Sequence, residues 1–338
     1  MKRPAVIAHR GASGYRPEHT TAAYRLAIAL GADGVELDLV ATRDGVLVAR
    51  HEPELSRTTD IATRPELAHL RTTRLVEGRS VNGWFVDDLT LAELKTVRAT
   101  ERMLECRPES ARFDGQFAVP TLAEVLALVD DESHRLGRSV QVYAELKHAT
   151  WFASNGLPLD DLLLTTLAAT AAVAPVTALA FETDVLRSLR AKGGLPLVQL
   201  VEAAGTPYDR ALAGDLCSYR EMVTPRGLMR IAEYADAVGV AKNVVLPRGA
   251  NGSTGSPSHV VRDAHAVDLD VAVWTLRDEN DFMAANFRHG TAPWVRGDAV
   301  AECNAYLDAG VDVLIGDHPD TVAEARRRWL RDRSPLPV

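Results

Sequence analysis

The sequence predicts an α/β fold of the (β/α)8 TIM barrel type with a small insertion after the third strand. Short runs of Val, Ile and Leu alternate with Ala- and Leu-rich helical stretches along nearly all of its 338 residues. This alternation is typical of repeated β-α units around a buried parallel sheet. The glycine fingerprint of dinucleotide-binding folds is missing, which disfavours an open doubly wound sheet. We therefore expect a single barrel domain over residues 1–338.

Nine segments are candidate strands, one more than a barrel of eight needs, so one is expected to be an extra segment. The candidates are Ala5–Ala8, Val35–Leu39, Val46–Ala49, Val140–Leu146, Val176–Phe181, Leu197–Val201, Ala237–Ala241, Val271–Thr275 and Val311–Ile315. Helical stretches between and after them include Thr21–Leu30, Leu159–Val173, Asp184–Lys192 and Thr321–Leu330.

One long stretch interrupts the alternation of strands and helices. Residues 54–118 contain few strand-like runs and much Arg, Thr, Glu and Gly, and we interpret them as an insertion over the barrel mouth. Two segments, Thr90–Glu93 and Thr121–Glu124, have the S/T-x-x-E spacing of capping boxes, so their glutamates are expected to be structural. A second loop, Arg248–Ser258, is flexible by composition, and either a lid or a plain surface loop fits it.

Composition and charge exclude several classes of protein. Apolar residues make up 46% and charged residues 25%, which is ordinary for a globular domain. The net charge of −8 argues against a nucleic-acid binder or a membrane-surface binder, because both need positive charge. The three cysteines, Cys106, Cys217 and Cys303, lie far apart, which argues against a disulfide framework or a cysteine zinc site.

The hydropathy of the chain predicts no stable membrane insertion, because no uncharged apolar run reaches about 18 residues. After the basic start, only Pro4–Ala8 is apolar before His9 and Arg10, which is too short for a secretory signal. The sequence as given is therefore expected to be cytoplasmic. An exported mature form is the alternative, because removal of a signal and addition of Met1 would give the same chain.

Chemically reactive side chains recur where the candidate strands end. Because these ends share one face of a barrel, they are expected to form one site. Side chains alternate along a strand, so Glu36 and Asp38 point the same way, and Glu145 can join them. Three carboxylates together need a cation, and oxygen ligands suit Mg²⁺ or Ca²⁺. The residues at these ends are His9, Arg10, Glu36, Asp38, His51, Glu145, Lys147, Trp274 and Asp317.

Several motifs resemble the glycerophosphodiester phosphodiesterase family, in the family's order and from His9 to about Asp320. The match in the first fifty residues is highly specific, and the Pro-Glu-His-Thr variant and the long insertion resemble the larger, often exported, calcium-using bacterial branch. The motifs are His9-Arg10-Gly11, Pro17-Glu18-His19-Thr20, Gly34-Val35-Glu36-Leu37-Asp38, Thr42-Arg43-Asp44-Gly45, His51, Leu55-Ser56-Arg57-Thr58-Thr59, Glu145-Leu146-Lys147, Val273-Trp274-Thr275 and Gly316-Asp317-His318-Pro319.

The resemblance implies a metal-dependent hydrolase of glycerol and lipid metabolism that converts glycerophosphodiesters to glycerol 3-phosphate and an alcohol such as choline or ethanolamine. The nucleophile would be water or a neighbouring substrate hydroxyl, and the expected partner is this small substrate. The sequence does not determine the oligomeric state. The implied roles are general acid/base catalysis for His9 and His51, metal binding for Glu36, Asp38 and Glu145, phosphate binding for Arg10 and Lys147, and packing against the glycerol or alcohol for Trp274.

Two departures from the family pattern and two rival functions stay open at this point. Glu52 replaces the aspartate that usually follows the second histidine, and Gly316 replaces a threonine in the closing motif. A phospholipase D-like enzyme acting on lysolipids or sphingolipids is the enzymatic alternative. The other is a non-catalytic barrel that binds a phosphorylated ligand.

Overall fold

Eight parallel strands close into a barrel in the computed structural model, which describes residues 3–333. Strand β1 pairs with both β2 and β8, which closes the sheet, so the predicted TIM barrel is confirmed. The outer parts of the predicted domain, residues 1–2 and 334–338, lie outside the described residues. The strands are β1 (Ala5–Ala8), β2 (Gly34–Ala41), β3 (Gln141–Leu146), β4 (Val176–Ala180), β5 (Leu197–Val201), β6 (Ala237–Ala241), β7 (Asp270–Leu276) and β8 (Val313–Gly316).

The extra strand among the nine candidates is Leu47–Ala49, which pairs antiparallel with the end of β2. Gly45, with φ of 77°, lies in the tight turn between the two strands, and that left-handed conformation favours glycine. The insertion therefore follows the third strand of the chain but only the second strand of the barrel. A short apolar run does not reveal strand direction, which explains why the sequence left the extra strand unassigned.

Burial on both faces of the sheet explains why the strand sequences are continuous runs of apolar residues. All eight residues of β2 are buried, because the barrel interior covers one face and helices cover the other. Inside the barrel, Ile7, Tyr143, Leu200 and Ile315 belong to one small apolar cluster. The larger cluster lies between the strands and the surrounding helices.

Helices follow the barrel strands and return the chain to the start of the next strand. The predicted helix at Leu159–Val173 ends earlier, because Thr170 is already extended. Within residues 3–333, no helix is long and apolar enough to cross a membrane. The α-helices are Thr21–Ala29, Leu91–Leu94, Pro108–Ala111, Leu122–Leu136, Ala149–Ser154, Leu159–Ala169, Thr183–Lys192, Tyr208–Leu212, Tyr219–Met222, Pro225–Ala232, Lys242–Val245, Val260–His265, Ala299–Asp308 and Pro319–Arg333. The 3-10 helices are Ile61–Thr63, Pro65–Leu70, Val86–Asp88, Asn280–Phe282 and Ala285–Phe287.

Residues 54–118 form a hairpin of Thr72–Val76 and Arg79–Gly83 followed by short helices. Buried apolar side chains of the segment, such as Leu55 and Phe85, belong to the same core cluster as the barrel. This packing is compatible with one domain over 1–338 and with an insertion at 54–118, and both divisions remain predictions.

Local signals in the sequence are found where they were expected. Both capping boxes form, with each threonine hydroxyl accepting the N–H of its glutamate and each glutamate accepting the N–H of its threonine. The loop Arg248–Ser258 turns back on itself, with the Gly249 N–H donating to the Ser253 carbonyl at 2.9 Å. Thr254 is held by the side chain of Asn286, whose Oδ1 accepts its N–H at 3.0 Å.

Replacing Thr121 tests how much a cap contributes to this fold. Thr121→Ala removes the hydroxyl that starts the helix Leu122–Leu136, and we expect a loss of about 1 kcal/mol in the free energy of unfolding. Thr121→Ser keeps the hydroxyl and is the matched control. Urea unfolding measures both variants, and equal stability of the alanine and serine forms would contradict the assigned cap.

Candidate active site

A cavity of about 430 Å³ opens at the carboxyl ends of the barrel strands, where a TIM barrel builds its active site. Asp38 lies beneath the cavity and is 1% exposed. The structure therefore brings the predicted site residues together at one end of the barrel. Those that line the cavity are His9, Arg10, Glu36, His51, Glu145, Lys147 and Trp274.

Three buried carboxylates lie together on β2 and β3. Asp38 and Glu145 are register partners on these neighbouring strands, and Glu36 precedes Asp38 on the same face. Carboxylate oxygens of the three residues lie within 4.8 Å of one another. One oxygen of each, Glu36 Oε1, Asp38 Oδ1 and Glu145 Oε1, accepts no hydrogen bond. Among the described residues Glu36 Oε1 has no partner and the other two oxygens face the Lys147 ammonium, and together the three oxygens fit a hard divalent cation.

The proton affinities of the carboxylates reflect how closely they are packed. Burial raises the pKa of Glu36 well above its usual range, and the charges of Asp38 and Glu145 add to the shift. Burial also raises the pKa of Glu145, to about 7. Burial acts in the same direction on Asp38, but Lys147 and Arg10 overcome it and hold its pKa well below the usual value. Without further positive charge, the cluster does not favour three ionised carboxylates.

Arg10 and Lys147 are the positive charges that the chain itself places beside the carboxylates. The Lys147 ammonium lies 2.5 Å from Glu145 Oε1 and 3.3 Å from Asp38 Oδ1. Arg10 Nε lies 3.0 Å from Asp38 Oδ2, and the backbone N–H of Arg10 donates to Glu36 at 2.9 Å. Both cations therefore touch the carboxylates as well as the cavity, and their expected contact with a phosphate remains a prediction.

His9 is held by a buried carboxylate from the last strand connection. Its Nδ1 lies 2.6 Å from Asp317 Oδ1, which leaves Nε2 for the cavity. Asp317 Oδ2 accepts hydrogen bonds from Arg107 at 2.6 Å and Arg277 at 2.7 Å. Burial lowers the pKa of His9 to about 4; Arg10 adds to the shift and Asp317 opposes it. Asp317 thus fixes the ring orientation of His9.

His51 has a comparable carboxylate neighbour in Glu52, at 2.9 Å between Nδ1 and Oε1, although without hydrogen-bond geometry. Glu52 accepts two hydrogen bonds of 2.6 Å from Arg102, which also donates to Glu18. Burial lowers the pKa of His51 to about 3, and the charges of Arg10 and Lys147 add to the shift. The longer Glu52 therefore still reaches His51, and Arg102 anchors it.

Sequence reasoning missed four residues that hold this site. Arg102 and Arg107 come from the segment 54–118, which gave no signal of site residues. Glu18 accepts hydrogen bonds from Arg10 and Arg102. The Nε2 atom of the buried His19 lies 2.8 Å from Asp38 Oδ2. The Pro-Glu-His-Thr motif could have revealed Glu18 and His19, because it belongs to the motif set of the resembled family.

One wall of the cavity is apolar. The Trp274 indole donates to the Gly239 carbonyl at 3.0 Å, and its ring meets the edge of Phe181 at a centroid distance of 5.5 Å. Leu179, Leu200 and Ile315 also line the cavity. This wall suits the carbon skeleton of a small ligand next to the charged groups.

Known proteins resemble this chain over most of its length. Residues 9–321 match the family model described as the glycerophosphoryl diester phosphodiesterase family. The glycerophosphodiester phosphodiesterase GDPD6 of Arabidopsis thaliana is 28% identical over 352 aligned residues, covering 99% of this chain and 88% of that protein. The Bacillus subtilis glycerophosphodiester phosphodiesterase is 38% identical over 43% of this chain and 40% of its own length.

A solved structure confirms the shared fold. The Oleispira antarctica phosphodiesterase, solved in complex with its product sn-glycerol-3-phosphate, has a TM-score of 0.61 at 20% identity. The comparison covers 95% of this chain and 96% of that protein. Because the family model covers nearly the whole barrel, the chain belongs to the glycerophosphoryl diester phosphodiesterase family.

Proposed function

We propose that this enzyme hydrolyses glycerophosphodiesters to glycerol 3-phosphate and an alcohol, with Ca²⁺ or Mg²⁺ on Glu36, Asp38 and Glu145. The observation that carries the proposal is the cluster of three carboxylates, with oxygens within 4.8 Å of one another, beside a cavity lined by two histidines. Such a set can bind a phosphate through a cation and move protons on both sides of it. Family membership supports the substrate class.

His9 and His51 are proposed as the proton-transferring pair. One accepts the proton of the nucleophile, which is water or a substrate hydroxyl, and the other donates a proton to the departing alcohol oxygen. The oxygen of the nucleophile bonds to phosphorus as the bond between phosphorus and the alcohol oxygen breaks, and the net reaction consumes one water. The lowered pKa values leave both rings neutral before substrate binds, so the histidine that acts as the acid takes up its proton from solvent when the anionic substrate binds. Asp317 stabilises His9 whenever the imidazole ring of His9 carries two protons.

Charge stabilisation is the proposed contribution of the groups around the phosphate. When bound to the carboxylates, a divalent cation would polarise the phosphoryl oxygens. Arg10 and Lys147, which line the same cavity, would add positive charge where the transition state gathers negative charge. Trp274 would pack against the glycerol or the alcohol.

Product analysis tests the proposed reaction directly. The purified enzyme is given glycerophosphocholine or a lysophospholipid in parallel, with Ca²⁺ or Mg²⁺ present. We expect glycerol 3-phosphate and choline from the first substrate and slower turnover of the second. Turnover of the lysophospholipid without any release of glycerol 3-phosphate from the first would favour a phospholipase D-like enzyme instead.

Substitution of His9 and of its partner tests the catalytic roles. His9→Ala should lower kcat by about 10²-fold or more, with ligand binding largely kept, because proton transfer is lost. Asp317→Asn should lower kcat by about tenfold or more, because the negative charge beside His9 is lost. Steady-state kinetics and product titration measure both effects.

Asp320→Asn is the matched control for the Asp317 variant. Asp320 lies three positions further along, where it accepts hydrogen bonds from Tyr15 rather than from His9. Its kcat should stay within about twofold of the parent. Full activity of His9→Ala would refute the proposed role of His9, whereas binding of the substrate without any turnover by the parent protein would favour a binding protein.

Removal of the metal tests the proposed carboxylate site. Chelation should abolish turnover, and Ca²⁺ or Mg²⁺ should restore it. Cation at about 100 times its Kd should also stabilise the chelator-treated protein by about 2.7 kcal/mol, measured as a rise in Tm. Glu36→Gln should remove most of that rise, because it removes one anionic ligand.

Glu182→Gln is the control for the loss of a buried acid. Glu182 is 4% exposed, and burial raises its pKa to about 7, yet it accepts the N–H of Thr150 and lies outside the carboxylate cluster. This variant should keep the cation-dependent rise in Tm. Full turnover of the parent enzyme in excess chelator would refute the metal requirement.

A further inference from the structure

Three cations on the β6–β7 side of the cavity are not used by the proposed reaction. Lys242 follows β6, Arg248 lies on the loop beyond it, and Arg277 follows β7. All three line the same cavity as His9 and the carboxylates. Two of them contact Phe282: Arg248 donates to its carbonyl at 2.7 Å, and the Arg277 guanidinium lies 4.6 Å from its ring centre.

The charges of these cations are poorly compensated. Lys242 has a side chain only 13% exposed, and its Nζ has one acidic partner, Glu302 Oε2, at the long distance of 3.4 Å. Arg277 shares Asp317 with Arg107. In the part of the chain that the structure describes, Arg248 makes no ion pair. Burying an ammonium with so little compensation is costly.

The cations also act on one another. Burial lowers the pKa of Lys242; Glu302 opposes the shift, and the charges of Arg248 and Arg277 add to it. Such repulsion means that an anion between the three side chains would be bound favourably. Lys carries three N–H donors and Arg five, and within residues 3–333 each of these side chains has one hydrogen-bond partner, which leaves further donors for a ligand. Two acids, Glu202 and Asp281, line the cavity as well, but neither pairs with these cations within residues 3–333.

We propose that Lys242, Arg248 and Arg277 form a second anion site, which selects glycerophosphodiesters whose departing alcohol carries a phosphate of its own. This inference rests on the proposed function, in which the scissile phosphate lies at the carboxylate cluster and the glycerol hydroxyls are neutral. A second anion on the substrate must then belong to the alcohol. Because Arg277 contacts Asp317, the partner of His9, the second site adjoins the reacting groups.

A matched pair of substrates measures this selectivity. Glycerophosphoinositol and glycerophosphoinositol 4-phosphate differ only by one phosphate on the alcohol, and both release glycerol 3-phosphate. We expect kcat/KM to be about tenfold or more higher for the phosphorylated substrate, because charge-assisted hydrogen bonds to a phosphate are strong. Added salt should reduce this preference.

Variants assign the preference to the proposed site. Lys242→Met and Arg248→Gln should each lower the ratio of the two kcat/KM values several-fold. Arg331→Gln, on the exposed end of the last helix, is the matched control and should keep the ratio. Circular dichroism and Tm check that each variant folds. Should Lys242→Met not fold, the exposed Arg248 carries the test alone.

The outcomes separate this inference from the proposed function. Equal kcat/KM for the two substrates would overturn the second anion site while leaving glycerophosphodiester hydrolysis intact. An equal loss on both substrates in the variants would also overturn it, because the cations would then serve the scissile phosphate. No hydrolysis of any glycerophosphodiester, including glycerophosphocholine, would instead refute the proposed function.

Discussion

Burial of three carboxylates on the neighbouring strands β2 and β3 is the constraint on which the rest of the site depends. Like charges this close and this deeply buried are unfavourable unless positive charge surrounds them. Arg10 and Lys147 supply part of this positive charge. The carboxylate oxygens that accept no hydrogen bond provide ligands for a cation. The same groups that stabilise the carboxylates therefore also prepare the site for an anionic substrate.

A second layer of ion pairs fixes the groups that touch the cavity. Arg102 joins Glu18 to Glu52, and Arg107 joins Asp317 to Glu279, with Arg107 only 3% exposed. Removing one partner of such a buried pair costs about 3–5 kcal/mol, because the other charge is left uncompensated. Both arginines belong to the segment 54–118, so folding of that segment and orientation of His9 and His51 are coupled.

The sequence predicted the barrel, and seven of the site residues that it singled out line one cavity, because both depend on local patterns. Strand ends fall where apolar runs stop, and alternation along β2 places Glu36 and Asp38 on one face. The contacts of Arg102 and Arg107 could not be predicted in this way. Arg107 and Asp317 are 210 positions apart in the sequence, and a periodic pattern gives no information about a contact between such distant residues. The antiparallel direction of Leu47–Ala49 was hidden for the same reason, since pairing partners decide it.

A crystal structure with glycerol 3-phosphate and Ca²⁺ or Mg²⁺ would test the central claim most directly. We expect electron density for one cation bound by oxygens of Glu36, Asp38 and Glu145 at about 2.0–2.6 Å, with a phosphate oxygen among its ligands. A product phosphate bound elsewhere in the barrel, with Lys147 alone bridging Asp38 and Glu145, would contradict it.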